Sequence, residues 1–170
     1  MKNLKLTIEL VPKTAWYTNV RSNVSRPEWD KIRKECYKRA NYHCEICHDQ
    51  GMNQGAKWPV ECHEIWSYDD LKCVQTLTGL ISLCPRCHKA KHPGLAQING
   101  EIEIVYGQLM RVNKMTRIEA ESYLQTCFEV WQDRSAYSWT CNVEYLKIYF
   151  VKQVIEPAKI IDNDSIKDQW

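Results

Sequence analysis

Two cysteine pairs place the strongest constraint on how this chain can fold. Cys44 with Cys47, and Cys84 with Cys87, both have the spacing C-x-x-C. Thiolates at this spacing can grip one Zn²⁺ from a tight backbone turn, and two such turns complete a closed tetrahedral site. The segment between the pairs is longer than a zinc-ribbon loop and leaves room for a β-hairpin. We therefore expect a structural Zn²⁺ that clamps the two ends of an inserted hairpin.

The cellular compartment decides whether cysteines bind metal or form disulfides. Residues 1–7 alternate polar and apolar side chains and contain no apolar run typical of a secretory signal. The chain also lacks the run of about 18 apolar residues that a membrane span needs. We therefore expect a cytoplasmic protein with reduced thiols and no membrane contact. The cysteines outside the two pairs are expected to be mostly buried small hydrophobic residues: Cys36, Cys62, Cys73, Cys127 and Cys141.

Composition narrows the class of protein only a little. A length of 170 residues suits one domain with a sizeable core. The net charge of +2 is compatible with nucleic acid but does not by itself indicate it. Seven Trp and nine Tyr against two Phe suit either half-buried core positions or stacking on bases.

The histidines predict a second metal position. All five lie between His43 and His92. His88 and His92 are four residues apart on a predicted helix, so their rings can share one metal, and His63 would join them from a strand. Three neutral imidazoles leave coordination positions for water and a phosphate oxygen, as a catalytic site requires. The alternative is that His88 and His92 cap the helix or face solvent, and that His63 is a satisfied core residue.

Hydrophobic periodicity places these residues on a β-β-α unit. Residues 60–66 and 80–83 read as strands, with a turn at 68–70, and Pro85 begins a short helix that Pro93 stops. Asp69 and Asp70 are expected to be turn residues, with a metal or base role as the alternative. Upstream, alternation at 4–10 predicts a strand, and Ser25 with Glu28 predicts a capped helix at 27–40.

The remainder of the chain predicts a helical layer. Residues 102–112 and 116–131 look helical, and the second begins with a Thr116-x-x-Glu119 capping box. Residues 145–154 are helix or strand, and 162–169 is polar and expected to fray. The expected fold is α+β: a zinc-clamped ββα core with an N-terminal strand and helix, and a C-terminal helical layer. We divide it into the core with its N-terminal elements at 1–95, the helical extension at 96–155 and a polar tail at 156–170.

Two other functions of the cysteine turns find little support. Both turns continue to C-x-x-C-H, ending at His48 and His88, which is the attachment motif of c-type haem. Haem attachment needs export, and no signal peptide is evident. A thioredoxin-like redox pair would need a surrounding βαβ pattern, which is absent from the sequence.

The order of these motifs resembles the HNH endonuclease family over residues 40–95. The matching motifs are Cys44-x-x-Cys47, His63-Glu64-Ile65, Leu83-Cys84-x-x-Cys87-His88 and His92. The resemblance is to its four-cysteine branch, and the histidine arrangement is also similar to that of colicin-type nucleases. It implies a ββα-metal fold and a hydrolase that cleaves phosphodiester bonds in DNA by a single-metal mechanism. In that family a hairpin residue and the helix histidines bind one divalent metal, a hairpin histidine is the general base, and an Asn orients it.

Carried onto this chain, the resemblance makes His63, His88 and His92 ligands of a second divalent metal, such as Mg²⁺, Mn²⁺, Ni²⁺ or Zn²⁺. Glu64 stands where the base histidine is expected, and Gly79 where the Asn is expected. Glu64 could be the base, a fourth ligand, or the mark of a silent site. In a register one residue along, His63 is the base and Cys62 a ligand. Because neighbours on a strand point to opposite faces, His63 and Glu64 can share a site only at a bulge or strand end.

The expected function is a metal-dependent endonuclease acting on DNA. Arg86, Lys89 and Lys91 would seat the nucleic-acid backbone, or else form a solvated helix face. The alternative function is a catalytically silent, zinc-stabilised nucleic-acid-binding or scaffold module, which Glu64 and Gly79 favour. The apolar faces of the C-terminal helices could pack on the core, on a protein partner or on a second copy of the chain.

Overall fold

A computed structural model describes residues 4–150 of the chain as a mixed α+β fold. The α-helices are α1 (Val20–Asn23), α2 (Arg26–Arg39), α3 (Pro85–Lys91), α4 (Pro93–Ile98), α5 (Ile102–Asn113) and α6 (Arg117–Ser135). The strands are β1 (Glu61–Asp69), β2 (Val74–Leu83) and β3 (Thr140–Asn142). Short 3-10 helices occupy Lys13–Ala15, Gly51–Gln54 and Glu144–Tyr149. Within the described residues, no helix is long and apolar enough to cross a membrane.

The hairpin β1–β2 is longer than the sequence predicted. Its antiparallel pairing runs from Glu61 opposite Leu83 to Asp69 opposite Val74, so the turn lies at 70–73 instead of 68–70. The added part of β2 begins with Val74 and is rich in β-branched residues, which favour a pleated strand. The register shifts between Ile65 and Trp66, where the pairing forms a bulge or irregularity. β3 pairs in parallel with the start of β2 and completes a three-stranded sheet.

The two faces of the hairpin pack on different helices. Cys62 and Trp66 of β1 share a hydrophobic cluster with Ile32 and Cys36 of α2. His63, which alternates with Cys62 along the strand, instead contacts histidines at α3 and its C-terminal end. Because side chains alternate along a strand, the order of residues 61–66 decides which side chains face α2 and which face α3.

Local capping signals fix the starts of the two long helices as predicted. The backbone N–H of Ser25 donates to the Glu28 carboxylate at 2.7 Å, at the start of α2. The backbone N–H of Thr116 donates to Glu119 at 2.7 Å, at the start of α6. Each pairing satisfies donors that a helix N-terminus would otherwise leave without partners.

The C-terminal helices share one hydrophobic core with the cysteine pairs. This core also takes in the N-terminal segment, the end of β2, and α3 to α6. Its buried members are Leu6, Ile8, Cys44, Leu83, Cys84, Cys87, Ala90, Ala96, Val105, Leu109, Ala120 and Leu124. The helices predicted at 102–112 and 116–131 therefore pack directly on the segment that carries the C-x-x-C motifs.

The strand predicted at residues 4–10 is not formed. The backbone N–H groups of Lys5 and Leu6 donate to the side-chain oxygen of Asn113 at 3.0 and 2.9 Å. The Asn113 amide donates back to the carbonyl of Leu6 at 2.8 Å, and Ile8 N–H donates to the Tyr123 hydroxyl at 2.8 Å. Leu6 and Ile8 are buried as their alternation indicates, but side chains of α5 and α6 take the place of a partner strand.

The stretch predicted as helix or strand at 145–154 begins in the 3-10 helix Glu144–Tyr149. Its last residues, 151–154, lie outside the described residues, as does the polar tail at 156–170 with the fraying segment expected at 162–169.

Candidate metal centres

The four cysteines of the two pairs come together in one cluster, here called the cysteine cluster. The sulfur atoms of Cys44, Cys47, Cys84 and Cys87 all lie within 4.8 Å of one another. The Sγ atoms of Cys47 and Cys84 are 3.5 Å apart. Tetrahedral ligation with Zn–S bonds of about 2.3 Å separates sulfurs by about 3.8 Å, so the spacing suits one tetrahedral ion.

Tight turns position these sulfurs, as the C-x-x-C spacing predicts. The N–H of His48 donates to the carbonyl of Cys44 at 2.8 Å, and the N–H of His88 to that of Cys84 at 2.9 Å. His48 has a positive φ of 62°, which reverses the chain after the first pair. The second pair uses the start of α3, where Cys84 is the N-cap. One cysteine turn thus sits before the hairpin and the other directly after it.

The thiols perturb one another strongly. Hydrogen bonding with Cys44 lowers the pKa of Cys47, and the same interaction raises the pKa of Cys44. The pKa of Cys84 falls to about 6, mainly through its hydrogen bond with Cys44. Because a thiolate is the metal-binding form, a cluster that already shares negative charge is suited to a dication.

Helix α5 supplies two polar contacts to the cysteine cluster that the sequence did not reveal. The amide of Gln108 donates to Cys87 Sγ at 2.8 Å, and Arg111 donates to the Gln108 oxygen at 3.2 Å. Burial opposes the charge on Arg111, but its hydrogen bond to Cys47 and the nearby thiols raise its pKa. Four thiolates on a dication carry net negative charge, so a buried donor and a guanidinium are suitable neighbours. The available signal was two polar residues at i and i+3, so that both lie on one face of the helix.

The second group is the histidine cluster, formed by His63, His88 and His92. One ring nitrogen from each lies within 4.8 Å of the others. The ring centroids are 5.3 Å apart for His63 and His88, 5.0 Å for His63 and His92, and 4.8 Å for His88 and His92. The Nε2 atoms of His88 and His92 approach to 3.3 Å. The structure thus brings together the three histidines that the sequence singled out.

The position of His92 differs from the prediction. Helix α3 ends at Lys91, and His92 has φ −121° and ψ 55°, so it lies at the junction of α3 and α4 and not on the helix. Pro93 begins α4, and the residue before a proline is disfavoured in helical conformation. The non-helical backbone still directs the ring to the cluster. His92 remains exposed, so the cluster is open to solvent at this corner.

Two of the histidine rings, His63 and His92, are in the neutral state that metal binding requires. Burial, followed by the charges of His92 and His88, lowers the pKa of His63 to about 2. Protein packed against the ring of His92, followed by the charge of His88, lowers its pKa to about 4. Both imidazoles are therefore neutral near pH 7 and present lone pairs to a cation. The three imidazoles of the cluster are the donor set of a site for a divalent transition metal.

Glu61 belongs to the histidine cluster although the sequence gave it no role. Its carboxylate contacts Nδ1 of His88, and the hydrogen bond lowers the pKa of Glu61. The indole N–H of Trp58 donates to its other oxygen at 2.9 Å. Glu61 lies two residues before His63 and therefore on the same face of β1, which was the signal available in the sequence.

Glu64, the expected base, is directed elsewhere. Its carboxylate accepts hydrogen bonds from the backbone N–H of Val20 at 2.7 Å and from the indole of Trp66 at 3.1 Å. Burial raises its pKa. These contacts hold Glu64 on the α1–α2 side of the hairpin, so they do not support a catalytic or ligand role at the histidine cluster. The register shift lies after Ile65 and its extra residue belongs to β2, so it does not bring Glu64 to the face of His63.

The other residues considered for this site also lie away from it. Cys62 hydrogen-bonds with Cys36 of α2, so the register that makes Cys62 a ligand is not supported. Gly79 pairs with Ile65 within the hairpin. Asp69 pairs with Lys72 at 3.3 Å, and Asp70 with Arg134 of α6 at 2.7 Å. Both aspartates lie at the turn end of the hairpin, and Asp70 ties it to α6.

Only one of the three predicted backbone-binding cations is exposed and without an ion pair. Arg86 is exposed on α3, and no described carboxylate pairs with its guanidinium. Lys89 is paired with Glu101. Lys91 is only 8% exposed and donates to Glu9 at 2.8 Å and to Thr7 at 3.2 Å. Lys91 therefore holds the N-terminal segment against α3 and does not face solvent.

Comparisons of the chain with protein families, curated proteins and solved structures found no match. The chemistry of the site is therefore inferred from its geometry. A buried four-thiol cluster offers no position for a substrate, whereas a histidine cluster that opens to solvent at His92 leaves room for water and a further oxygen ligand. The two clusters are thus suited to different tasks, one structural and one chemical.

Proposed function

We propose that this protein is a metal-dependent endonuclease of the HNH type that hydrolyses phosphodiester bonds in DNA. The observation that carries the proposal is the open histidine cluster, which lies where β1 meets α3. The cysteine cluster joins the two ends of the hairpin that contains β1. A fold that needed metal only for stability would require the cysteines alone. Three converging imidazoles that open to solvent at His92 are better explained by a site that acts on a ligand.

The residues present fit the two metals that this function needs. The cysteine cluster would hold a structural Zn²⁺, and His63, His88 and His92 would hold a second divalent ion. When bound, that ion would act as a Lewis acid on an oxygen of the scissile phosphate. The DNA strand would enter the site from the exposed side at His92, and the guanidinium of Arg86 would bind a neighbouring phosphate.

Glu64 serves the fold and not the reaction. Its carboxylate is engaged by Val20 and Trp66 on the far side of the hairpin. A positioned general base typically contributes about 10² to 10⁴ in rate, so we expect cleavage to be slow compared with a nuclease that has a histidine base.

A second candidate is a zinc-stabilised module that binds nucleic acid or a protein without catalysis. The engagement of Glu64 favours it, as does the pairing of Lys89 and Lys91 with carboxylates of the same chain. Both candidates keep the cysteine-bound zinc. They differ in whether the histidine cluster binds an ion that is needed for cleavage.

Nicking of supercoiled plasmid DNA tests the proposal. Protein that retains its cysteine-bound zinc is depleted of other metal and then supplied with Mg²⁺, Mn²⁺, Ni²⁺ or Zn²⁺. We expect nicking that needs added metal, is abolished in His88→Ala, and is unchanged in His43→Ala, which removes an exposed histidine outside the cluster. Folded protein that nicks with none of these metals would instead indicate the silent module.

A further inference from the structure

Glu61 and Trp58 form a chain of contacts behind the histidine cluster. One carboxylate oxygen of Glu61 contacts Nδ1 of His88, and the other accepts the indole N–H of Trp58 at 2.9 Å. The side chains of Glu61 and His88 are only 29% and 28% exposed, so neither is a freely moving surface group. The ring of Trp58 is 48% exposed and forms the outer end of the chain.

This contact determines which nitrogen of His88 is available. A carboxylate next to Nδ1 favours the tautomer with the proton on Nδ1 and the lone pair on Nε2. Nε2 is the atom that lies 3.3 Å from Nε2 of His92, inside the cluster. The same arrangement, in which a carboxylate orients a metal-binding histidine, typically changes metal affinity by about 10 to 100-fold.

We propose that Glu61 is the positioning residue of the histidine cluster, holding His88 with Nε2 directed to a divalent cation, and that Trp58 holds Glu61 in place. The inference rests on the metal-binding part of the proposed function and not on DNA cleavage. Glu61 acts through His88, because both of its carboxylate oxygens already accept from N–H donors of the protein.

The competing explanation is an ordinary ion pair near the surface. Such pairs contribute little to stability and nothing to metal binding, since solvent screens them. The geometry favours positioning because the contact is made by the ring nitrogen opposite the one that faces the cluster. An ion pair formed only for stability would not require that nitrogen.

Titration of Ni²⁺ into protein that holds zinc at the cysteine cluster and no metal at the histidines, followed by calorimetry, separates the two explanations. We expect Glu61→Gln to weaken Ni²⁺ binding by about 10 to 100-fold. Trp58→Phe keeps the ring but removes the donor, and is expected to weaken binding by a smaller factor. Glu64→Gln is the matched control on the opposite face of β1 and should bind Ni²⁺ as the wild type does.

The tautomer of His88 provides a second readout that loss of stability would not change. In protein without metal at the histidines, nitrogen NMR should show His88 protonated at Nδ1 in the wild type and a mixture of tautomers in Glu61→Gln. Unchanged Ni²⁺ affinity together with an unchanged tautomer in the variant would overturn the positioning role. Wild-type protein that binds Ni²⁺ through these residues but never nicks DNA would refute the proposed function and leave this inference standing.

Discussion

At the scale of single residues, two glutamates on β1 show how position decides chemistry. Glu61 faces the histidine cluster, and its hydrogen bond with His88 lowers its pKa. Glu64 faces α1 and α2, and burial raises its pKa. The two residues are three apart in sequence, and the alternation of the strand puts them on opposite sides of the hairpin. One therefore contacts the histidine cluster, and the other joins α1 to the sheet.

The burial of Glu64 should make the stability of the protein depend on pH. Because folding raises the pKa of Glu64, the folded state favours the protonated carboxyl. The contribution of Glu64 to the free energy of unfolding therefore falls as pH rises from the ordinary carboxyl pKa through the raised pKa. Glu64→Gln cannot ionise. We expect the stability of this variant relative to the wild type to improve as pH rises over that range, measured by urea unfolding at several pH values.

The comparison with the wild type at each pH removes effects that both proteins share, such as protonation of the cysteine cluster. If the stability difference stays constant with pH, or if the variant becomes less stable than the wild type as pH rises, the pKa of Glu64 is not raised in the folded protein. The variant should also nick DNA as fast as the wild type per folded molecule, because the carboxylate does not face the histidines.

At the scale of elements, the N-terminal segment shows a different way of satisfying an extended backbone. Asn113, at the end of α5, exchanges hydrogen bonds with Lys5 and Leu6 as a neighbouring strand would. Tyr123 of α6 receives the next inward-facing N–H, from Ile8. The segment is thereby fixed to two helices and covers the core that contains the cysteine cluster.

Removal of the Asn113 amide should therefore be costly. Leaving a buried polar group without its partner costs about 1–3 kcal/mol, and Asn113→Ala affects three hydrogen bonds. We expect the free energy of unfolding to fall by about 2–4 kcal/mol in chemical denaturation. Tyr123→Phe removes one hydroxyl and keeps the ring, so its expected loss is about 1 kcal/mol. Equal effects of the two substitutions would mean that Asn113 is not the main anchor.

These elements also show what sequence reasoning can reach. Helices α2 and α6 were predicted because a capping box is a signal contained in four adjacent residues, as in Ser25 with Glu28. The prediction of a strand at 4–10 was wrong because alternation indicates which side chains are buried and not which groups hydrogen-bond to the backbone. Its partner, Asn113, lies more than one hundred residues away. Nothing near residue 5 in the sequence identifies it.

At the scale of the whole molecule, the two clusters differ in their relation to the core. Cys44, Cys84 and Cys87 are fully buried among residues of α3 to α6, so an ion bound there would join the hairpin to the helical layer. The histidine cluster opens to solvent at His92. Binding of structural Zn²⁺ is worth about 10–16 kcal/mol, comparable with the whole stability of a domain, so we expect loss of the cysteine-bound ion to unfold the protein.

The members of both clusters could be predicted from spacing, because C-x-x-C turns and histidines four residues apart have few other uses in combination. The supporting residues could not. Gln108 and Arg111 reach the cysteines from a helix outside the motif. Glu61 is identified only by its contact with His88 in the folded protein. Tertiary packing decides such contacts, and the sequence contains only the weak hint of a shared strand or helix face.

The most direct test of the central claim, that one chain holds two metal positions of different kinds, is the number of ions per chain by native mass spectrometry. We predict two ions in wild-type protein saturated with Zn²⁺, and one after mild treatment with EDTA, with the fold retained. His88→Ala should hold one ion from the start, and Cys84→Ser should fail to fold stably. A wild-type protein that never holds more than one ion, or that unfolds when the first ion is removed, would contradict the account.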